Sequence, residues 1–449
     1  MAAPRRTFTS LAADLRSGRT TSRALVEDCL KAAEAPGSEG KRVFIRLDAA
    51  AARKAADAID QLRAAGCAPS PYAGIPIVIK DLADIAGQVT AAGSKVLAGG
   101  TPAVADAPVV ARLRQAGLVL LGRTNMTEFA YSGLGINPHY GTPTSPWDRA
   151  SKRVPGGSSS GSAVAVADGM ALGALGTDTG GSCRIPAAFN GIVGYKPTAR
   201  RVPASKVVPL STSLDSIGPI APTVECCRVL DGIMAGDEPG VAAAADLSGC
   251  RFLVPETIVL DDLDSDVAAD FERTLTRISA AGARIERRRF TPFDLIAAAN
   301  QNGGLSAAES WHWHRALIET GRTQYDPRVL ARIVRGKEQT AADYIELLAA
   351  RRRAIAAFEQ AMQGYDALLS PTVAIVAPRI AECEPDAEYG RINLKVLRNT
   401  AIFNILDACS IALPMHRAGA APTSLMISGP AMTDPRIFAL AASIERELA

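Results

Sequence analysis

The chain has 449 residues, 48% of them hydrophobic and only 5% aromatic, and a formal net charge of +3. That length holds one large α/β domain or two or three smaller ones. A charge so small excludes the electrostatic footprint of a nucleic-acid-binding chain or of one drawn to an anionic membrane surface. The eight cysteines lack CxxC spacing and the framework of a small secreted domain. They read as reduced thiols and point to the cytoplasm, with Cys226-Cys227 a packed helical pair.

In chain order, Asp14 and Arg16 interrupt the segment after Arg5-Arg6, and no run of about 18 apolar residues follows anywhere, so neither a signal peptide nor a membrane span is expected. Residues 8–34 read as two helices, the second capped from Thr20-Thr21-Ser22. A short apolar strand is expected at 44–47 and an Ala-rich helix at 49–65, so that 1–65 wraps the core. Residues 74–79 read as a buried strand ended by Lys80-Asp81. A lysine there usually snorkels to water. When desolvated, it is pushed toward the neutral amine and can act as a base near neutral pH. A helix at 106–116 stops at Gly117, a strand follows at 118–122, and the charged link 149–153 reads as a solvated turn.

The most informative stretch is Gly156-Gly157-Ser158-Ser159-Ser160-Gly161-Ser162-Ala163, continued by Gly176-Thr177-Asp178-Thr179-Gly180-Gly181-Ser182-Cys183-Arg184-Ile185-Pro186. Glycine permits positive φ and close backbone approach. The turn Thr179-Gly180-Gly181-Ser182 can therefore aim several N–H groups at one point, with a serine at its edge as nucleophile. Rival readings fit less well. Gly157-Ser158-Ser159-Ser160-Gly161 satisfies G-x-S-x-G, but Arg153-Val154-Pro155 stands where that elbow needs a strand. The phosphate-binding G-x-x-x-x-G-K-[ST] is absent. Ser38-Glu39-Gly40-Lys41 matches S-x-x-K but reads as a polar loop. A flexible linker is excluded by the apolar helix and strand material interleaved with the glycines. Only four histidines occur: His139, His312, His314 and His416. A serine hydrolase without a well-placed histidine needs another base, and lysine is the usual substitute. His312-Trp313-His314 has no second ligand cluster, so it reads as a groove or surface helix and no metal is expected.

This stretch, continued through Phe189-Asn190-Gly191-Ile192-Val193-Gly194-Tyr195-Lys196-Pro197-Thr198, resembles the signature of the amidase signature family of serine hydrolases. The resemblance extends to the Gly-Ile-Pro-x-x-x-Lys-Asp context of Lys80, to Thr90-Ala91-Ala92-Gly93-Ser94, and to Arg398-Asn399-Thr400-Ala401-Ile402-Phe403-Asn404. It covers roughly 10–235 and 340–445. It implies one α/β domain, a mixed central sheet of about ten strands covered by helices. Within it, 70–235 would be the signature core, 236–340 a variable substrate funnel and 341–449 the C-terminal part of the core.

The resemblance further implies a triad: Ser182 as nucleophile, Ser158 as relay with a cis peptide bond before it, and Lys80 as base. Thr179, Gly180, Gly181 and Ser182 would form the oxyanion hole, and Asp178, Arg184 and Ser159 would support the site. Ala130, Tyr131 and Ser132 would wall the acyl pocket, with Trp311 and Trp313 as further pocket candidates. The activity implied is hydrolysis of a small neutral amide, ester or carbamate, without metal or organic cofactor, by a monomer or homodimer. The alternative is the A subunit of a glutamine-dependent tRNA amidotransferase. Against it, Ala199-Arg200 stands where the family has Tyr-Gly, and Leu397 stands where such subunits place an acidic residue. Asp407-Ala408-Cys409 replaces the family's Gly-Leu-Pro near the expected closure of the pocket.

Overall fold

The computed structural model describes residues 6–238, 240 and 244–449; Arg5 lies outside them. Eleven strands form one mixed sheet. They are β1 (Phe44–Leu47), β2 (Pro76–Lys80), β3 (Val119–Thr124), β4 (Ala174–Asp178), β5 (Val193–Lys196), β6 (Ser216–Ala221), β7 (Arg251–Pro255), β8 (Arg284–Arg288), β9 (Ala367–Pro371), β10 (Cys409–Pro414) and β11 (Ser424–Gly429). Their spatial order is β1-β3-β2-β4-β6-β5-β10-β11-β9-β7-β8. β2 runs parallel to β3 and β4, whereas β6 runs antiparallel to β4 and β5.

The central strands are buried on both faces and read as continuous apolar runs, as internal strands of a doubly covered sheet must. In β2, Ile77 and Ile79 enter one core and Val78 the other, because successive side chains point to opposite faces. The first core is closed by the helices Phe8–Ser17, Pro108–Gln115, Val224–Ala235 and Asp434–Leu448. The second is closed by Ser22–Glu34, Ala49–Ala64 and Ser160–Ala167. Cys226 and Cys227 are both buried on their helix, and all eight cysteines are free.

Two local expectations change. The Ser38–Lys41 segment is loop only at Ser38 and Glu39: Gly40–Val43 is a helical turn, and Glu39 is buried and accepts hydrogen bonds from the N–H and hydroxyl of Thr144. The segment 236–340 also contributes to the sheet, because β7 and β8 extend it at its far edge. Only the later helices, Gly304–Gly321 and Pro327–Val334, pack beside Phe129 and Ala130.

The topology brings chemistry to one edge. β2 and β4 are parallel neighbours, so Lys80 and Asp178, their last residues, lie at the same end of the sheet. Antiparallel β6 starts there, with Ser216 opposite Asp178, so Asp215 joins them.

Candidate active site

Lys80 is fully buried at the end of β2. Its Nζ lies 2.8 Å from Ser158 Oγ and 2.7 Å from Thr177 Oγ1. Burial pushes the amine down to about 8, against the opposing pull of Cys183, Asp178 and Asp215. Ser158 follows a cis peptide bond from Gly157, and its carbonyl accepts the Thr127 N–H. Thr127 and Gly135 crowd Gly157: a Cβ there would lie 2.5 Å from the Gly135 nitrogen, so only glycine fits. Ser159 is buried and its hydroxyl donates to the Thr177 carbonyl.

The turn 178–182 is fixed from below. Buried Asp178 accepts from Arg184 Nε and Nη2 at 3.0 and 2.9 Å and from the N–H groups of Gly181 and Cys183. Burial alone would raise this carboxyl; Arg184 overrides that and holds it well below the usual carboxylate range. Asn404 donates to the Asp178 carbonyl and carboxylate and accepts from Arg184. Thr400 donates to the Gly180 carbonyl at 2.7 Å. Gly181 has φ 133°, and a Cβ there would fall 2.2 Å from Thr400 Oγ1, so the turn requires glycine on both counts.

The Gly181 N–H is therefore engaged with Asp178, whereas the N–H groups of Thr179, Gly180 and Ser182 have no acceptor among the described residues. The Ser182 hydroxyl likewise has no hydrogen-bond partner among them. Chemically, a desolvated amine beside one hydroxyl can take its proton. A second, unpaired hydroxyl at the mouth of a turn of free N–H groups can attack a carbonyl. Cys183 is placed otherwise: its thiol faces the Gly218 carbonyl, and burial pushes it far up, away from the thiolate.

Beside the turn lies a cavity of about 460 Å³. Leu82, Ala130, Val202, Val207, Leu210 and Ile217 give it apolar walls, and Thr177 and Thr179 reach its inner end. Arg200, also on the wall, is paired with Asp407 at 2.8 Å, and Asp407 accepts the Ala199 N–H. The two departures from the family pattern thus touch each other. Of the expected wall residues, Ala130 lines the cavity. Tyr131 instead packs on the apolar cluster that holds Phe129, Trp311 and Trp313, and its carbonyl accepts from Arg332. Ser132 accepts the Tyr389 hydroxyl and donates to Asn393, tying it to the helix Asp386–Ile405. His314 is buried against Phe129 and Tyr325, and burial pushes it down to about 3. No group of three or more His, Cys, Asp or Glu among the described residues is arranged to hold a metal ion.

Sequence reasoning gave no role to Thr177, Asp215, Glu309, Thr400 or Asn404. Thr177 had a usable signal, a polar residue at the end of an apolar strand inside the signature. The others meet the site only through the fold.

A sheet of this topology around such a turn defines an enzyme class, hydrolases of C–N bonds, and the chain belongs to it: residues 24–438 match the family model described as Amidase. Over 443 residues it is 35% identical to 2-amino-5-chloromuconic acid deaminase of Comamonas testosteroni, covering 97% of this chain and 94% of that one. It is 31% identical over 406 residues to the A subunit of the glutamyl-tRNA(Gln) amidotransferase of Thermotoga maritima, covering 83% and 84%. A crystallised amidase shares the fold with a TM-score of 0.89 and 31% identity, over 99% of this chain and all of the other. No helix among the described residues is long and apolar enough to cross a membrane.

Proposed function

We propose that the protein hydrolyses the C–N bond of a small neutral amide, and related esters or carbamates, through a serine acyl-enzyme. The observation that carries this reading is the 2.8 Å contact between Ser158 and a buried Lys80 amine held near 8. Neutral Lys80 takes the Ser158 proton as Ser158 takes that of Ser182. Ser182 Oγ then attacks the carbonyl carbon. Ser158 and Ser182 are not hydrogen-bonded to each other in the structure; such contacts commonly tighten only in the substrate complex. The N–H groups of Thr179, Gly180 and Ser182 hold the oxyanion, while that of Gly181 keeps the turn in place. The relay returns its proton to the leaving nitrogen as the C–N bond breaks. Water, deprotonated by the same relay, then releases the acid.

The cavity supports a neutral substrate. Its walls are mostly aliphatic, and its charged groups are already engaged: Arg200 with Asp407, and Asp215 with the Thr179 hydroxyl and two backbone N–H groups. A panel of aryl amides, aliphatic primary amides, glutamine, esters and carbamates tests the reading, with Ser182→Ala and Lys80→Ala alongside wild type. Cleavage of a neutral amide that both variants abolish supports it. Full activity in Ser182→Ala overturns it.

The relationship to amidotransferase subunits carries a second reading, release of ammonia from glutamine for a partner. Cleavage of glutamine alone among the panel would put that reading first.

A further inference from the structure

A chain of hydrogen bonds joins the variable segment to the catalytic turn. Thr179, whose N–H faces the reacting oxygen in the reading above, donates its hydroxyl to Asp215 Oδ1 at 2.5 Å. Asp215 is fixed in turn by the Leu210 and Ser211 N–H groups at 3.0–3.2 Å. The turn that carries it, 211–215, is clamped by one side chain, Glu309 of the helix Gly304–Gly321. Glu309 Oε2 accepts from Ser211 Oγ at 2.6 Å, the Ser213 N–H at 3.0 Å and Thr212 Oγ1 at 3.4 Å. Its Oε1 accepts from Ser213 Oγ at 2.5 Å and from the Tyr344 hydroxyl at 2.8 Å.

Five donors on one carboxylate is more than is needed to anchor a surface helix. A charged acceptor makes each bond shorter and stronger than a neutral one would. The rest of the catalytic turn is held from the opposite side, by Arg184, Asn404 and Thr400. The β4–β6 ladder, with Asp178 opposite Ser216, brings Thr179 beside Asp215, and Thr179 is the residue of the turn whose side chain reaches 211–215, so the clamp bears on its direction.

We infer that Glu309 is a positioning residue: through the 211–215 turn and Asp215 it sets the direction of Thr179, and so of an oxyanion-hole N–H. This inference rests on the amide-hydrolysis reading. It predicts that loosening the clamp weakens binding of the tetrahedral species and leaves binding of substrate nearly as before. Losing one oxyanion donor outright costs about 10²–10³ in turnover, and misdirecting one costs part of that.

The test uses the full chain and whichever aryl amide or ester of the panel wild type cleaves fastest. Glu309→Ala is expected to lower kcat by about ten- to a hundredfold with KM changed by less than about threefold. Affinity for phenylboronic acid, which forms a tetrahedral adduct on an active serine, should fall in proportion. Thr179→Val should reproduce both losses, and Thr179→Ser, which keeps the hydroxyl, should restore most of them. The double variant Glu309→Ala, Thr179→Val should be no worse than the poorer single, because both act along one path.

A loss confined to KM, unchanged boronate affinity, a fully active Thr179→Val, or losses that multiply in the double variant would each overturn the proposal. Should Glu309→Ala not fold, Glu309→Gln, which keeps the shape and removes the charge, takes its place in the same kinetic and boronate measurements. The two readings fail separately. An active Ser182→Ala removes the hydrolytic mechanism, whereas a dead Ser182→Ala beside a normal Glu309→Ala removes only the clamp.

Discussion

Two lysines of this sheet are buried at strand ends, and they meet different kinds of partner. Lys80 closes β2 and Lys196 closes β5; burial lowers both amines from the usual lysine range. Lys196 Nζ donates to two backbone carbonyls, Pro197 at 2.9 Å and Ala408 at 2.7 Å. Carbonyls only accept, so that pocket commits Lys196 to donating. Lys80 meets two hydroxyls, which can donate or accept. Burial makes a neutral amine available, and the identity of its partners decides whether that amine can receive a proton.

The strongest break between the two is by deletion. Ser182→Ala should cut turnover by about 10³-fold or more with the melting temperature nearly unchanged, and Lys80→Met should cut turnover as deeply, measured by steady-state kinetics and calorimetry. Lys196→Met should do the reverse. It leaves two buried carbonyls without a donor, a loss of about 2–4 kcal/mol in denaturant unfolding, while the folded fraction keeps most of its turnover.

A pH profile sharpens the comparison. Only the neutral Lys80 amine accepts a proton, and the neutral form gains as pH rises. kcat/KM should therefore climb about tenfold per unit below about 8 and level off above it. Thr177→Val removes a hydroxyl that stabilises the charged amine, so that limb should move to lower pH. The smallest effect is expected from Cys183→Ala. With its thiol pushed far up by burial, that change should leave turnover within about twofold.

Ser158, Ser182 and Lys80 were legible as candidates because glycine turns and a strand-end lysine leave local marks in the sequence. Three of the eleven strands, β1, β2 and β3, were legible as short apolar runs. What gives those residues their character was not legible. Lys80 meets Thr177 across 97 residues, Glu309 meets Ser211 across 98, and Asn404 reaches Asp178 across 226. A threonine in a strand or a glutamate in a helix carries no local sign of such a partner. The edge strand β8 was missed for a reason of its own. β8, Arg-Ile-Glu-Arg-Arg, is mostly exposed and lacks the apolar run that marks an internal strand.

The cysteines have a practical consequence. Seven are buried, while Cys67, just beyond the helix Ala49–Ala64, is open to solvent. A maleimide dye added to the native protein should attach at that one place. That gives a fluorescent reporter for unfolding or subunit exchange on an otherwise unaltered enzyme, with no cysteine to engineer in and none to remove.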